Sequence, residues 1–170
     1  MTDTKERSLQ DIGRCAYECI AEMVAALECD YDRLEELRDE RKDADEDESD
    51  ASTIRQWDEA NGEELKALED AAGDCNSRED AEGRISENPL SVEVRSDWHA
   101  VGDSAVADDG EFCILLGTGG PATRIRGELS GGEPCRAWLE AQDWGTPWTQ
   151  YFGADQDTLL TYAQQFYFGG

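Results

Sequence analysis

Cys15 and Cys19 stand four residues apart in "GRCAYECIAEM", a spacing that sets two thiols on one helix face and offers half of a tetrahedral metal site. The other half is missing. The single histidine, His99, stands alone, and the remaining cysteines (Cys29, Cys75, Cys113, Cys135) form no C-x-x-C pair. The six thiols are therefore read as small packing residues of a reducing compartment, with no metal site and no Cys–His nucleophile among them.

Three other stretches invite a chemical reading. "DADEDESDASTI" starts like a calcium loop at Asp43, Asp45 and Asp47. Its sixth position holds Glu48 in place of glycine, and its twelfth holds Ile54 in place of a bidentate glutamate. "LLGTGGPATRI" has the glycines of a phosphate loop. It lacks the Lys-Ser/Thr that closes one, and a strand pattern follows it, so a hairpin turn is the better reading. Paired carboxylates could do acid–base work, but 41 Asp and Glu residues single out no pair. The sequence names no catalytic residue, metal ligand or cofactor, and a non-enzymatic protein is expected.

Charge is what the sequence does specify. The net charge is −26 over 170 residues, and residues 1–89 hold 29 of the acids against 11 Lys and Arg. Such a chain repels nucleic acid and anionic membranes and attracts basic surfaces at long range. No basic stripe is available to neutralise phosphates, so direct nucleic-acid binding is not expected. Lysine is scarce (Lys5, Lys42, Lys66) beside twelve arginines, a bias also found in salt-adapted proteins and in GC-rich genomes. The lopsided distribution and the six cysteines favour an acidity tied to function. "MTDTKERSLQ" has no apolar core, and no run approaches membrane-spanning length, which points to the cytoplasm.

These charges need elements to position them. Ile12, Ala16, Ile20, Met23, Leu27, Tyr31 and Leu34 recur at three- and four-residue steps, which predicts one helix over 9–40. A second helix is predicted over 52–72, capped by Ser52 or Thr53 and stopped by Gly73. Its stripe is Ile54, Trp57, Asn61, Leu65, Leu68 and Ala72. Together they predict an antiparallel hairpin, with helix to about Arg41 and a mobile acidic turn over 42–50. Residues 74–88 read as a short helix or loop.

After Pro89 the period drops to two. "LSVEVRSDW", "EFCILLG" (111–117), "ATRIRGEL" (122–129) and "CRAWLEAQDW" (135–144) predict about four antiparallel strands parted by glycine turns. "DQDTLLTYAQQFYFGG" predicts a capped final helix with Leu159, Ala163 and Phe166 on one side. The class is α+β: an acidic helical arm over 1–88 and a small antiparallel β-sheet domain with a C-terminal helix over 89–170. In "QDWGTPWTQYF", Trp144, Trp148, Tyr151 and Phe152 cluster around Gly145 and Pro147. They are read first as core aromatics and second as a protein-binding patch.

The C-terminal half, "FCILLGTGGPATRIRGELSGGEPCRAWLEAQDWGTPWTQYF…LLTYAQQFYFGG", resembles a group of acidic proteins encoded by phages, prophages and integrative elements of bacteria. The resemblance covers residues 90–170. It implies a mobile-element origin and action in the bacterial host cytoplasm, and it transfers no catalytic residue.

The acidic arm supplies the mechanism this setting suggests. Residues 28–50 hold 13 acids and four bases. Glu28, Asp32, Glu36, Glu40 and Ala44 form one row, and Glu35, Asp39, Asp43 and Asp47 form its neighbour. Steps of four rise about 6 Å along a helix, comparable with successive phosphates of a nucleic-acid strand. The expectation is a DNA mimic: a non-enzymatic inhibitor of a host DNA-targeting defence complex, of anti-CRISPR or antirestriction type. It would occupy a basic nucleic-acid-binding surface of a host protein. The partner-binding candidates are Asp32, Glu35, Glu36, Asp39, Glu40, Asp43 and Asp47 on the arm, and Trp144, Trp148 and Tyr151 on the sheet domain. The alternatives are an adaptor that self-associates through its helical hairpin, as a homodimer would, and an enzyme with an unrecognised site in the sheet domain.

Overall fold

The structure, a computed structural model, describes residues 8–46, 51–96 and 110–168. Asp47, His99 and the stretch 48–50 of the expected acidic turn lie outside these residues. The chain divides into two compact units, Ala25–Glu82 and Met1–Val24 together with Gly83–Gly170. The contacts thus group the start of the first helix with the sheet, and do not divide the chain at residue 88.

The long first helix is two helices. α1 runs Leu9–Glu28 and α2 runs Tyr31–Glu46. Asp30 makes the break: its Oδ1 accepts the Arg33 N–H at 3.0 Å, an N-cap that starts α2 afresh. Tyr31 spans the bend and donates its hydroxyl proton to the Ala26 carbonyl at 2.9 Å. The apolar row continues through the break, so periodicity alone conceals it. α2 also outlasts its expected end at Arg41, because its basic residues hold it to α3 (Ala51–Ala72). Arg33 meets Glu64 at 3.0 Å, Arg38 meets Glu69 at 3.3 Å and Arg41 meets Asp58 at 3.0 Å.

The pairing of α2 with α3 is the expected antiparallel hairpin. At one end the Cys29 thiol faces the Leu68 carbonyl; at the other the Trp57 indole N–H reaches Glu40. Its core is thin: Leu34, Leu37, Leu65 and Ala72 are buried, with Tyr31, Trp57 and Leu68 half-buried around them. Gly73 ends α3 at φ +55°, a left-handed conformation that favours glycine. The segment left open as helix or loop forms α4 (Arg78–Glu87), started by Ser77, whose hydroxyl accepts the Asp80 N–H.

In the other unit five strands form an antiparallel meander in chain order, one more than the sequence indicated. They are β1 (Ser91–Ser96), β2 (Gly110–Gly117), β3 (Ala122–Ser130), β4 (Glu133–Gln142) and β5 (Thr149–Tyr151). β5 escapes sequence reading because three residues after Pro147 show no alternation. Gly131 and Gly132, at φ +62° and +79°, form the two-residue turn between Ser130 and Glu133.

One sheet face makes the core. Phe112, Ile114, Ile125, Leu139 and Ala141 are buried there with Leu159, Tyr162 and Ala163 of α5 (Gln156–Ala163). Phe112 lies over Gly127 of the neighbouring strand, filling the place of the missing side chain. Gly13 of α1 is equally required, because a Cβ there would stand 2.6 Å from that of Tyr151. That close approach attaches the start of α1 to the sheet. α5 begins at its expected cap, Asp155, but ends at Ala163. The chain then turns so that Phe168, not Phe166, enters the core, its ring 4.9 Å from that of Phe112.

Candidate interaction surface

Leu34 and Leu37 fix which side of α2 faces inward. The three arginines of α2 lie along the seam with α3, where Arg33 also holds Glu36 at 3.3 Å. Hydrogen bonding to Glu64 and Glu36 pushes the Arg33 pKa up, and the Arg33 guanidinium holds the Glu64 carboxyl below its usual value. The seam therefore engages all three arginines of α2. What remains is a row of Asp32, Glu35, Asp39 and Asp43, exposed and without an ion pair among the described residues. Along α2, Asp32 to Asp43 spans about 16 Å.

The two rows expected from sequence are thus sorted by the structure. Glu36 and Glu40 lean on Arg33 and Trp57, and Glu28 belongs to α1 beyond the break. Asp32, Glu35, Asp39 and Asp43 share the outer face. A groove of about 710 Å³ runs beside them, lined by Asp32, Glu35, Arg38 and Asp39 of α2 and by Ser77, Arg78 and Glu79 at the start of α4. Tyr31 and Cys29 also line it. Burial pushes the Tyr31 hydroxyl up to about 12, and burial with the neighbouring Asp30 raises the Cys29 thiol. Both groups are thereby made less reactive, the opposite of what a nucleophile needs.

The aromatic candidates are in the sheet unit and do not behave as one group. Tyr151 is half-buried, packed on Gly13 and 6.3 Å from the Tyr17 ring. Trp148 is half-buried, with the Arg124 guanidinium 4.0 Å above its ring. Trp144 is 80% exposed and Phe152 79%, which corrects the reading of this segment as core. Trp144 has a local role, lying against Gly120 at the turn before β3.

Sequence reading missed the outward face of the sheet. Arg124, Arg126 and Glu128 on β3 stand opposite Glu140, Trp138 and Arg136 on β4. Arg124 binds Glu140 at 2.7 Å, Arg136 binds Glu128 at 3.0 Å, and Arg95 and Arg126 converge on Glu111. The Trp138 indole donates to Glu140. The signal was available as charges alternating along "TRIRGE" and "RAWLE", which an antiparallel register brings face to face.

The cysteines also depart from expectation. Cys75 is buried, Cys29 and Cys113 are half-buried, and Cys15, Cys19 and Cys135 are exposed. Burial raises the Cys113 thiol. Among the described residues no group of three His, Cys, Asp or Glu is placed to hold a metal ion. No helix among them is long and apolar enough to cross a membrane. Comparison with protein-family models, curated proteins and solved structures finds no match to this chain.

Proposed function

We propose that the protein is a non-enzymatic inhibitor that acts as a nucleic-acid mimic. The row Asp32, Glu35, Asp39 and Asp43 on α2 occupies the basic nucleic-acid-binding surface of a partner protein. One observation carries this reading: the arginines of α2 neutralise the seam with α3 and leave the outer carboxylates without an ion pair among the described residues. An acidic helix that served solubility alone would have no need to sort its charges this way. The sorting presents negative charge at helical spacing on an ordered surface, which suits lysines and arginines arranged to grip phosphates.

We place the setting in the host cytoplasm and the partner among host DNA-targeting defence complexes, on the mobile-element character read from the sequence of residues 90–170 alone. Self-association through the hairpin is less well supported. The exposed large apolar side chains among the described residues (Leu90, Val92, Val94, Trp144, Phe152, Tyr167) all lie in the sheet unit.

The test is capture from a bacterial lysate at low salt. It compares the natural chain with a variant carrying Asp32→Lys, Glu35→Lys, Asp39→Lys and Asp43→Lys. These side chains are exposed, so the far-UV spectrum should be unchanged while capture of nucleic-acid-binding proteins is lost. Equal capture by both chains would move the binding surface to the sheet unit.

A further inference from the structure

β1 is the terminal strand of the sheet, paired with β2 on one side and, among the described residues, with no strand on the other. An open edge carries a row of backbone donors and acceptors that another strand can complete. Natural edges are usually blunted by charge, proline or a bulge, and β1 has a regular register along its whole length against β2. It also carries exposed apolar groups. Val92 stands opposite Ile114 and Val94 opposite Phe112, so the two valines extend the core face, yet they are 36% and 50% exposed. Among the described residues the core therefore runs out to the edge and is only partly covered there.

The opposite face of β1 identifies what fits. Glu93 has no ion pair among the described residues, and the Arg95 side chain is 75% exposed although it touches Glu111. An antiparallel strand set with Val94 opposite its own copy places Glu93 of each chain directly across from Arg95 of the other. Val94 then packs on Val94, and two opposite-charge pairs flank it on the outer face. Directly opposed charges of this kind stabilise a strand pair, and like charges destabilise it. A shift of one chain by two residues would set Glu93 against Glu93, so the charges also select the register.

We infer that β1 is a dimerisation strand. Two copies of this chain join edge to edge about a two-fold axis at Val94, and their sheets become continuous. This goes beyond the proposed inhibitory role and does not depend on it. A single strand pair buries less than the roughly 1,200 Å² of a standard interface, so the dimer forms reversibly with concentration.

The experiment is sedimentation velocity on the full chain from about 5 to 500 μM at physiological ionic strength, where the Debye length is about 8 Å. The natural chain should shift from monomer to dimer across this range. Glu93→Arg and Arg95→Glu should each weaken dimerisation by at least about tenfold, because each sets two like-charge pairs across the axis. An equimolar mixture of the two variants should recover a heterodimer. One chain then offers arginine at both positions and the other offers glutamate at both, so each facing pair again has opposite charges. Should Arg95→Glu fail to fold, Glu93→Arg and Val94→Lys carry the test, because neither residue has an ion pair to lose. A natural chain that stays monomeric throughout overturns the inference and leaves the edge to a different partner. So do single variants that dimerise like the parent, or a mixture that recovers nothing.

Discussion

The sheet unit and the helical unit use acidic residues in opposite ways. In the sheet unit Glu111, Glu128 and Glu140 hold Arg95, Arg124, Arg126 and Arg136 in a cross-strand network over a core that includes Ile114, Ile125 and Leu139 at 0% exposure. Acid there is structural. Ala25–Glu82 carries 23 acids and seven bases in 58 residues. It buries few large side chains and spends all three arginines of α2 on the seam with α3. The difference teaches that net charge alone is a poor guide to an acidic surface. What matters is where the positive charges go, because they decide which carboxylates are left for a partner.

The contrast in core thickness gives the largest expected effect. Leu37 is fully buried in the hairpin, and Leu37→Ala should cost about 3 kcal/mol. With so few other buried groups, the hairpin should melt separately, seen as an early loss of helical far-UV signal. The aromatic near-UV signal of the sheet unit should persist to higher temperature. A single transition shared by both units would remove the distinction drawn between them.

Salt should separate the units next. Raising NaCl from 0.05 to about 0.5 M screens the unpaired row, and the hairpin transition should rise by about 4–8 °C, equivalent to about 1 kcal/mol. The exposed seam pairs weaken with salt but contribute little each. A hairpin transition that falls with salt would show that the seam pairs outweigh the repulsion.

Trp148→Ala tests the sheet network at a smaller scale. The ring is half-buried under Arg124, not embedded in the core, so the expected loss is about 1–2 kcal/mol. A loss of about 4 kcal/mol would return this ring to the core.

The smallest effect concerns pH. The Thr158 backbone N–H and hydroxyl hold the Asp155 carboxyl below its usual value. A lowered folded value means that its contribution is present above about pH 4, the unfolded carboxyl range. It is lost as pH falls through the folded value. Asp155→Asn retains a capping oxygen but not the charge, so it should lower the melting temperature slightly at pH 7 and converge with the parent as pH falls below about 4. A variant as stable as the parent at pH 7 would show that the charge contributes nothing to this cap.

Much of this architecture was legible in the sequence because its signals are local. The hairpin came from three- and four-residue apolar steps, and the first four strands came from alternation and glycine turns. Asp30 was hidden because it sits inside an unbroken apolar row, where a cap and an exposed helical acid look alike. β5 was hidden because its evidence is tertiary, the pairing of Tyr151 with Leu139. The acidic row was half legible. Spacing set Asp32 in one row with Glu36 and Glu40, and Glu35, Asp39 and Asp43 in its neighbour; only the contacts of Arg33 with Glu36 and of Trp57 with Glu40 separate Asp32 from its row.

The central claim is that this row stands in for nucleic-acid phosphates. The most direct measurement is competition on a protein captured from the bacterial lysate. Duplex DNA and polyglutamate of equal total charge are added to the complex at several salt concentrations. If the row imitates phosphates, duplex DNA should displace the protein at far lower concentration than polyglutamate, and the complex should weaken steeply with salt. Equal displacement by both polyanions, or a complex indifferent to salt and DNA, would contradict the claim.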